Sequence, residues 1–333
     1  MEKITLFLIM ASVIFISGCT NDDYSGFIEE ELGAFSFGPL INYTDDAIIR
    51  FEYDGNAIRI PYHVEGFAEG IASELGWFLL VDGLAQPTQL ETIDGEILSE
   101  LAFMHYFALE YREREEFYVV FSPISGEIGT NVGLIAGTLL RPNFMPTNID
   151  ESIFAPFHHL MTTFPAEVII NSDVQNSFTA DTDVLFKPIM QNVMEAEKQQ
   201  AEFEGMDFDE WMASRARIGI FPHDLEFQLN YEEIIIADDG EVNLFLFVYG
   251  GKEITSRITF FVNHEPVQVN GADFIEIEME HDKLALIDVN LSLDELNDLN
   301  SLYALMMATG DNYYDEDIYK TWTLLLVNES YRR

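Results

Sequence analysis

Cysteine is almost absent from this sequence, and positive charge is scarce. Cys19 is the single cysteine among 333 residues, so no disulfide can form within the chain. Lysine and arginine together number 16, against 59 aspartate and glutamate residues, which gives a formal net charge of −43. Such a chain repels the phosphates of nucleic acid and offers no basic patch to bind them. We therefore expect a fold stabilised by burial alone and no nucleic-acid partner.

The common signatures of catalysis are also missing. No G-x-S-x-G elbow, H-E-x-x-H helix, P-loop or paired cysteine motif occurs, and these are the usual marks of nucleophilic, zinc and nucleotide chemistry. We therefore predict no catalytic residues and no cofactor, and a function other than catalysis. One alternative stays open: an extracellular hydrolase or a metal-dependent enzyme that uses some of the many acidic residues.

Long apolar runs are lacking except near the start of the chain. There Lys3 precedes the apolar run Ile4–Ile16, and no later segment is apolar enough to span a bilayer. The run is too short for a comfortable transmembrane helix. Small residues follow it directly. This order is typical of a cleaved secretory signal peptide.

The tetrad at the end of this leader, Ile16-Ser17-Gly18-Cys19, resembles the lipobox of bacterial lipoproteins. The resemblance covers the leader only, and it implies cleavage before Cys19 and attachment of lipid such as palmitate to that cysteine. Two or three acyl chains, each contributing about 0.8 kcal/mol per buried CH₂, would anchor the protein stably. The resemblance thus predicts a lipoprotein held to the cell membrane through Cys19, with the rest of the chain outside the cytoplasm.

The composition changes along the chain and predicts five segments. Residues 1–18 are the signal peptide, and residues 19–39 are a polar, acidic tether. Residues 40–150 and 230–330 consist of short β-rich runs separated by turn residues, and residues 151–229 connect them. Strands at this spacing, without helices between them, favour antiparallel sandwiches over a parallel sheet. The predicted fold class is mainly β, with two antiparallel immunoglobulin-like β-sandwich domains and a partly helical segment between them.

The two β-rich regions also look like copies of one another. Gly76–Val81 and Arg257–Val262 are apolar runs that both lead into an Asp or Asn turn and then a proline. We predict that these two strands hold equivalent positions. The first region carries about ten extra residues around Glu91–Glu100, which a hairpin loop could absorb at small entropic cost. The alternative is two unrelated β domains that share only generic alternation.

Side-chain direction along these strands gives a second prediction. Successive side chains of a strand point to opposite faces of the sheet. Trp77 and Phe78 should therefore face opposite ways, as should Phe260 and Phe261, and one of each pair should lie in a core.

The connecting segment has the spacing of a helix. Apolar residues recur at helical intervals between Ile189 and Arg217 after Pro188, and Gly205 is expected to divide the helix. The methionine and aromatic stripe on this segment has two interpretations. It either packs on its own domain, which is the commoner arrangement, or lines a groove for a partner.

Candidate metal ligands are few. His158 and His159 are adjacent, so on a strand they would point to opposite faces and could not chelate one ion together. Three carboxylate clusters leave calcium open as an alternative, since hard oxygen ligands suit that ion; they are Asp181-Thr182-Asp183, Asp238-Asp239-Gly240 and Asp311–Asp317. None matches the EF-hand loop, so the metal ligands stay unknown.

The predicted function is a non-enzymatic surface module that binds an unidentified protein, peptide or cell-wall glycan.

Overall fold

The computed structural model describes most of the chain after residue 34. The described ranges are 35–40, 49–67, 72–145, 158–162, 166–174, 178–214, 216–222, 233–236, 240–280, 282–293, 296–309 and 318–328. Cys19, the whole leader and most of the predicted tether lie outside them, as do residues 238–239 and 311–317 of the acidic clusters.

The first sandwich is built from the strands described up to Ile170. They are β1 (Phe35–Pro39), β2 (Ile49–Tyr53), β3 (Ile58–Gly66), β4 (Ser73–Val81), β5 (Leu84–Gln86), β6 (Thr88–Glu91), β7 (Ile97–Ala102), β8 (Met104–Leu109), β9 (Arg114–Phe121), β10 (Asn131–Leu140), β11 (Leu160–Thr162) and β12 (Ala166–Ile170). Sheet A has the order β1-β3-β9-β6-β7. Sheet B has the order β2-β12-β10-β4-β5, with β8 beside β4 and β11 beside β10.

Alternating burial closes these two sheets over one core. Every second residue of β3, from Ile58 to Val64, is buried, as expected for a strand with one face on a core. Opposite them, Trp77 of β4 is fully buried and meets Tyr62 edge to face, with ring centroids 5.3 Å apart. Aromatic pairs of this geometry add about 0.5–1.5 kcal/mol beyond their area burial.

The second sandwich follows from residue 180 onward. Its strands are β13 (Ala180–Asp181), β14 (Leu185–Pro188), β15 (Ala216–Pro222), β16 (Glu233–Ile236), β17 (Glu241–Gly250), β18 (Thr255–Val262), β19 (Glu265–Val267), β20 (Phe274–Glu278), β21 (Lys283–Ser292), β22 (Leu299–Ala308), β23 (Ile318–Lys320) and β24 (Leu324–Asn328). Sheet C has the order β13-β20-β18-β22-β24-β16, with β19 beside β18 and β23 beside β22. Sheet D has the order β14-β21-β17-β15. Helices α1 (Gln191–Glu204) and α2 (Phe208–Ser214) lie between β14 and β15.

Sheets B and C share one connectivity. In both, a central strand (β4 or β18) pairs with a short hairpin partner (β5 or β19), a second neighbour (β8 or β20) and a long strand (β10 or β22). The long strand pairs in turn with a short strand (β11 or β23) and with a further strand (β12 or β24), which pairs in parallel with an edge strand (β2 or β16). Sheets A and D agree in β1-β3-β9 and β15-β17-β21. The strands that contain Gly76–Val81 and Arg257–Val262 thus hold the same place.

The turns after these two strands are equivalent too. Asp82-Gly83 joins β4 to β5 with φ values of 53° and 78°, and Asn263-His264 joins β18 to β19 with φ values of 50° and 70°. Two positive φ angles define the type I′ turn, whose twist suits a tight hairpin. Glycine adopts this conformation freely, whereas a histidine rarely does. His264 is therefore held there by its surroundings.

The outer faces of sheets B and C form one interface between the sandwiches. Phe78 and Ile135 from sheet B lie in one buried cluster with Phe261 and Tyr303 from sheet C. Trp77 lies in the first core, and Phe260 lies in the second. Trp77 and Phe78 thus face opposite ways, as do Phe260 and Phe261, as predicted. The outward residues Phe78 and Phe261 are buried as well, because the two sandwiches pack against each other.

The predicted fold class is confirmed: the chain is mainly β, with antiparallel sheets in immunoglobulin-like sandwiches and two short helices. The helices were expected between the two sandwiches, but they lie within the second one, because β14 before them and β15 after them both belong to sheet D. The pairing of sheets is consistent with two domains. Parallel pairs also occur, at β2–β12, β16–β24 and β13–β20. Alternation cannot reveal these, because parallel and antiparallel strands share the same period of two.

The segment 151–229 does more than connect the sandwiches. β11 and β12 pair into sheet B, whereas β13, β14 and β15 pair into sheets C and D. β12 (Ala166–Ile170) therefore completes the first sandwich. Arg217, expected at the end of the helical stretch, lies in β15, because the chain after α2 gains ladder hydrogen bonds from β17.

Candidate functional site

The extra residues of the first region form a hairpin at the edge of sheet A. β6 and β7 pair antiparallel with two register shifts, and residues 92–96 join them. The backbone N–H of Thr92 donates to Glu96 O at 2.7 Å, and that of Gly95 donates to Thr92 O at 2.9 Å. We name residues 88–102 the edge hairpin. In the second sandwich, β14 takes the place beside β21 that β6 takes beside β9.

The inner side of the edge hairpin is fixed to the core by His105 of β8. The ring Nε2 of His105 lies 2.8 Å from Thr88 Oγ1, and its Nδ1 lies 2.9 Å from Ser99 Oγ. Leu90 of β6 is buried in the first core. Burial lowers the pKa of His105 to about 4, so the ring is neutral near pH 7. One neutral histidine thus ties β6 and β7 to β8 and holds the edge hairpin in place.

The outer side of the edge hairpin is exposed and apolar. Ile93, Ile97, Leu98 and Leu101 are 59%, 57%, 48% and 66% exposed. β7 pairs with β6 on one side, and no strand of the described part of the chain pairs with it on the other. Exposed apolar side chains beside an unpaired strand edge mark a place where another chain can dock.

The charge on the edge hairpin is entirely negative. Glu91 forms an ion pair with Arg59 at 2.6 Å. Asp94, Glu96 and Glu100 form no ion pair with any residue that the structure describes. The segment 88–102 contains no lysine, arginine or histidine. The surface around β7 is therefore both apolar and acidic.

A second group of functional side chains lies buried at the interface between the sandwiches. His264 Nε2 lies 2.7 Å from Pro142 O, which can only accept, so Nε2 carries the proton and Nδ1 accepts from Tyr303 Oη at 3.2 Å. The rings of His158 and His264 are 5.0 Å apart. Burial lowers the pKa of His158 to about 3 and that of His264 to about 4, and it raises the pKa of Tyr303.

Lys320 of β23, which is partly buried, completes this group. Its Nζ lies 4.7 Å from the centroid of the Tyr303 ring and donates to Thr323 Oγ1 at 2.7 Å and Thr321 O at 3.1 Å. It forms no ion pair with a carboxylate of the described residues. Burial therefore lowers the pKa of Lys320 to about 7. These side chains pack the interface through ring contacts and internal hydrogen bonds.

An ion pair lies at the other side of the interface. Arg257 of β18 binds the carboxylate and the carbonyl oxygen of Asp82 in the β4–β5 turn. Ser125 Oγ also donates to Asp82 Oδ2, at 2.8 Å. Each sandwich thus places its own type I′ turn against the other, Asp82 on one side and His264 on the other.

The helices cover the outer face of sheet D and hold a buried polar network. Val193, Trp211 and Met212 pack on this sheet, so the apolar stripe belongs to its own domain. Glu197 Oε2 accepts from Trp211 Nε1 at 2.6 Å and from Arg217 Nη2 at 2.8 Å, and Glu197 Oε1 accepts from Tyr249 Oη at 3.1 Å. α1 ends at Gly205, which has a φ of 70°, as expected for a helix break.

The predicted metal ligands do not come together among the described residues. No group of three or more His, Cys, Asp or Glu side chains there could hold a metal ion. Asp181 instead accepts from the backbone N–H of Asp183 and from Asn270 Nδ2, at 3.0 and 2.6 Å. His158 is buried at the interface, whereas its neighbour His159 is exposed. Within the described ranges, no helix is both long and apolar enough to cross a membrane.

A cavity lies between the sheets of the first sandwich, lined mostly by apolar side chains. Its volume is about 20 Å³, which is room for about one water molecule. Trp77 lines it, and its Nε1 has no acceptor among the described residues. A cavity of this size does not accommodate a substrate.

Sequence reasoning missed the side chains that define the edge hairpin. The residues around Ile97 do not alternate as a half-buried strand does, because both register shifts and an exposed edge disturb the pattern. The one available signal was the extra length around Glu91–Glu100 relative to the second region. His264 and Lys320 gave no signal, because their partners are distant in sequence.

No family model matches the chain, and no curated protein matches it. Solved structures with similarity include fibronectin(III)-like modules of Clostridium thermocellum CbhA, with 8% identity, 89% of this chain and 96% of that chain covered, and a TM-score of 0.20. The CsuC–CsuE chaperone–tip adhesion subunit complex of Acinetobacter baumannii has 7% identity, 89% of this chain and 99% of that chain covered, and a TM-score of 0.21. A protein of unknown function from Porphyromonas gingivalis W83 has 8% identity, 89% of this chain and 100% of that chain covered, and a TM-score of 0.24. At such TM-scores none of these likenesses carries an argument about function.

Proposed function

We propose that this chain is a lipid-anchored bacterial cell-surface protein that acts as a non-enzymatic binding module. The observation that carries the binding role is the edge hairpin, which exposes four large apolar side chains beside a strand edge that no described strand pairs with. The first sandwich carries β7 beyond β6, whereas the second ends this sheet, in the described residues, at β14 in the place of β6, so β7 is not required by the shared topology. Lipid on Cys19 would hold the module at the membrane, and the acidic tether would separate it from the surface.

The anchor is tested by substitution of the lipobox cysteine. In cells fed an alkyne-labelled fatty acid, the wild-type protein should carry the label, and Cys19→Ser should lose it and accumulate as uncleaved precursor. Thr20→Ser is the matched control and should keep the label. Full labelling of the Cys19→Ser protein would contradict the assignment.

The binding role is tested with the exported chain from Thr20 onward, immobilised and exposed to an envelope extract of the producing bacterium. The double variant Leu98→Lys/Leu101→Lys changes the edge hairpin, and Phe203→Lys changes another exposed apolar residue, on α1. We expect a component that wild type and Phe203→Lys retain and the double variant loses. Equal retention by all three proteins would show that the edge hairpin is not the binding surface.

A further inference from the structure

We propose that β7 accepts an additional strand from a cationic partner, an extended polypeptide segment in which apolar residues alternate with lysine or arginine. The inference rests on the proposed binding function and specifies its partner. It starts from backbone geometry. β7 spans six residues, Ile97–Ala102, which is about 20 Å at about 3.3 Å per residue. Its outer edge pairs with no strand among the described residues and presents the N–H and C=O groups that strand addition uses.

The hairpin is rigid enough to act as a template for such a strand. His105 bonds to both Thr88 and Ser99, and β6 pairs with β9 in the body of sheet A. A preorganised edge loses little conformational entropy when a partner binds, so more of the ladder energy appears as affinity. The exposed Leu98 and Leu101 would then bury apolar surface against alternate side chains of the added strand.

Charge decides which chain can add to this edge. Asp94, Glu96 and Glu100 surround β7 with negative charge, and no basic residue of the hairpin balances them. A second copy of the protein would bring the same carboxylates opposite one another, and each copy carries a net charge of −43. Like charges directly across a strand pair are unfavourable. A segment with lysine or arginine on alternate residues would instead place positive charges opposite these carboxylates, which is favourable.

The same charges explain how an exposed apolar edge can persist without self-association. Natural sheets protect their edges with charged side chains and bulges. Here the charges are all of one sign, so they exclude acidic strands, including other copies of this chain, and still admit a cationic one. The edge hairpin is therefore selective as well as protected.

The test titrates the exported chain from Thr20 with a fluorescent ten-residue peptide of alternating lysine and valine. Two control peptides accompany it: one has glutamate in place of lysine, and the other is N-methylated at alternate residues, which keeps its charge but removes its ladder donors. We expect the lysine peptide to bind, and each control peptide to bind at least about tenfold more weakly. Hydrogen exchange should show new protection of β7 amides.

Protein variants make the test specific to β7. Leu101→Lys and Glu100→Lys should each weaken binding at least about tenfold, whereas Phe203→Lys should leave it unchanged; circular dichroism checks that all variants fold. Equal binding by the N-methylated peptide, or by the β7 variants, would overturn strand addition. If the edge hairpin retains an envelope component but the lysine peptide does not bind, the inference fails and the proposed function stands. If neither binds, both fail.

Discussion

At the scale of single residues, the protein buries a charged pair, Glu197 and Arg217, between the helices and sheet D. Glu197 is a buried residue of α1 and receives hydrogen bonds from Trp211, Arg217 and Tyr249. Burial of Tyr249, together with the nearby Glu197 carboxylate, raises the pKa of that phenol. The network joins the helices to sheet D at one carboxylate.

Removal of that carboxylate should be costly, because Arg217 would stay buried without its Glu197 partner. We predict that Glu197→Ala lowers the free energy of unfolding by about 3–5 kcal/mol. The double variant Glu197→Ala/Arg217→Met should recover much of that loss. Urea denaturation measures both, with the exposed Glu195→Ala as control. A loss under about 0.5 kcal/mol for Glu197→Ala would mean that the pair is not buried in solution.

Lys320 gives the stability a defined pH dependence. Its pKa is about 7 in the folded protein and about 10.4 in an unfolded chain. Between these values the unfolded state takes up a proton that the folded state does not, so stability should rise with pH by up to about 1.4 kcal/mol per pH unit. Below about pH 7 both states hold the proton, so Lys320 no longer makes the stability depend on pH, and the stability gained at higher pH is absent.

Comparison with Lys320→Met isolates that effect. The urea midpoint of the wild-type protein should rise more steeply from pH 7.5 to 9.5 than that of Lys320→Met. Lys187→Met, which changes an exposed lysine on β14, should keep the wild-type slope. Parallel curves for wild type and Lys320→Met would show that Lys320 is solvated in the folded protein.

At the scale of elements, the contact between sheets B and C makes the two sandwiches one unit. Phe78 projects outward from β4 into this contact, and its ring lies over Gly137 of β10, where an added Cβ would come within 2.4 Å of the ring. The glycine is thus required by the close approach of an aromatic ring from the neighbouring strand. The alternation that sets the direction of Phe78 was readable from sequence, but the surface that covers it was not.

Truncation of Phe78 should loosen this contact. We predict that Phe78→Ala destabilises the protein by about 3–5 kcal/mol and separates its thermal unfolding into two transitions, because the sandwiches then share less buried surface. Phe203→Ala, at an exposed site on α1, should change stability by no more than about 0.5 kcal/mol. A single unshifted calorimetric transition for Phe78→Ala would contradict the role of the interface.

At the scale of the whole molecule, negative charge is spread over both sandwiches. A net charge of −43 far exceeds the magnitude of about 2–8 that keeps an ordinary small domain soluble. The resulting self-repulsion weakens as salt shortens the Debye length, from about 8 Å at physiological ionic strength to about 3 Å at 1 M. Arginine, which keeps its charge at high pH, also outnumbers lysine. Both features suit a saline or alkaline exterior.

We therefore predict that the melting temperature of the exported chain rises as NaCl increases from low concentration to about 1 M at neutral pH. Differential scanning fluorimetry measures this, with sucrose of matched osmolality as the control for non-ionic effects. A flat or falling melting temperature would point instead to carboxylates that are neutralised locally, for instance by bound cations.

The sequence alone determined the alternation of the strands, the Asp and Asn turns, the break at Gly205 and the correspondence between Gly76–Val81 and Arg257–Val262. These features are local, because hydrophobic period and turn chemistry depend on neighbours within a few residues. The tertiary structure decided the parallel edges, the placing of β14 where the first sandwich has β6, the burial of His264, the partial burial of Lys320 and the exposure of the edge hairpin. Each of these depends on contacts between residues far apart in the chain, which no local pattern encodes.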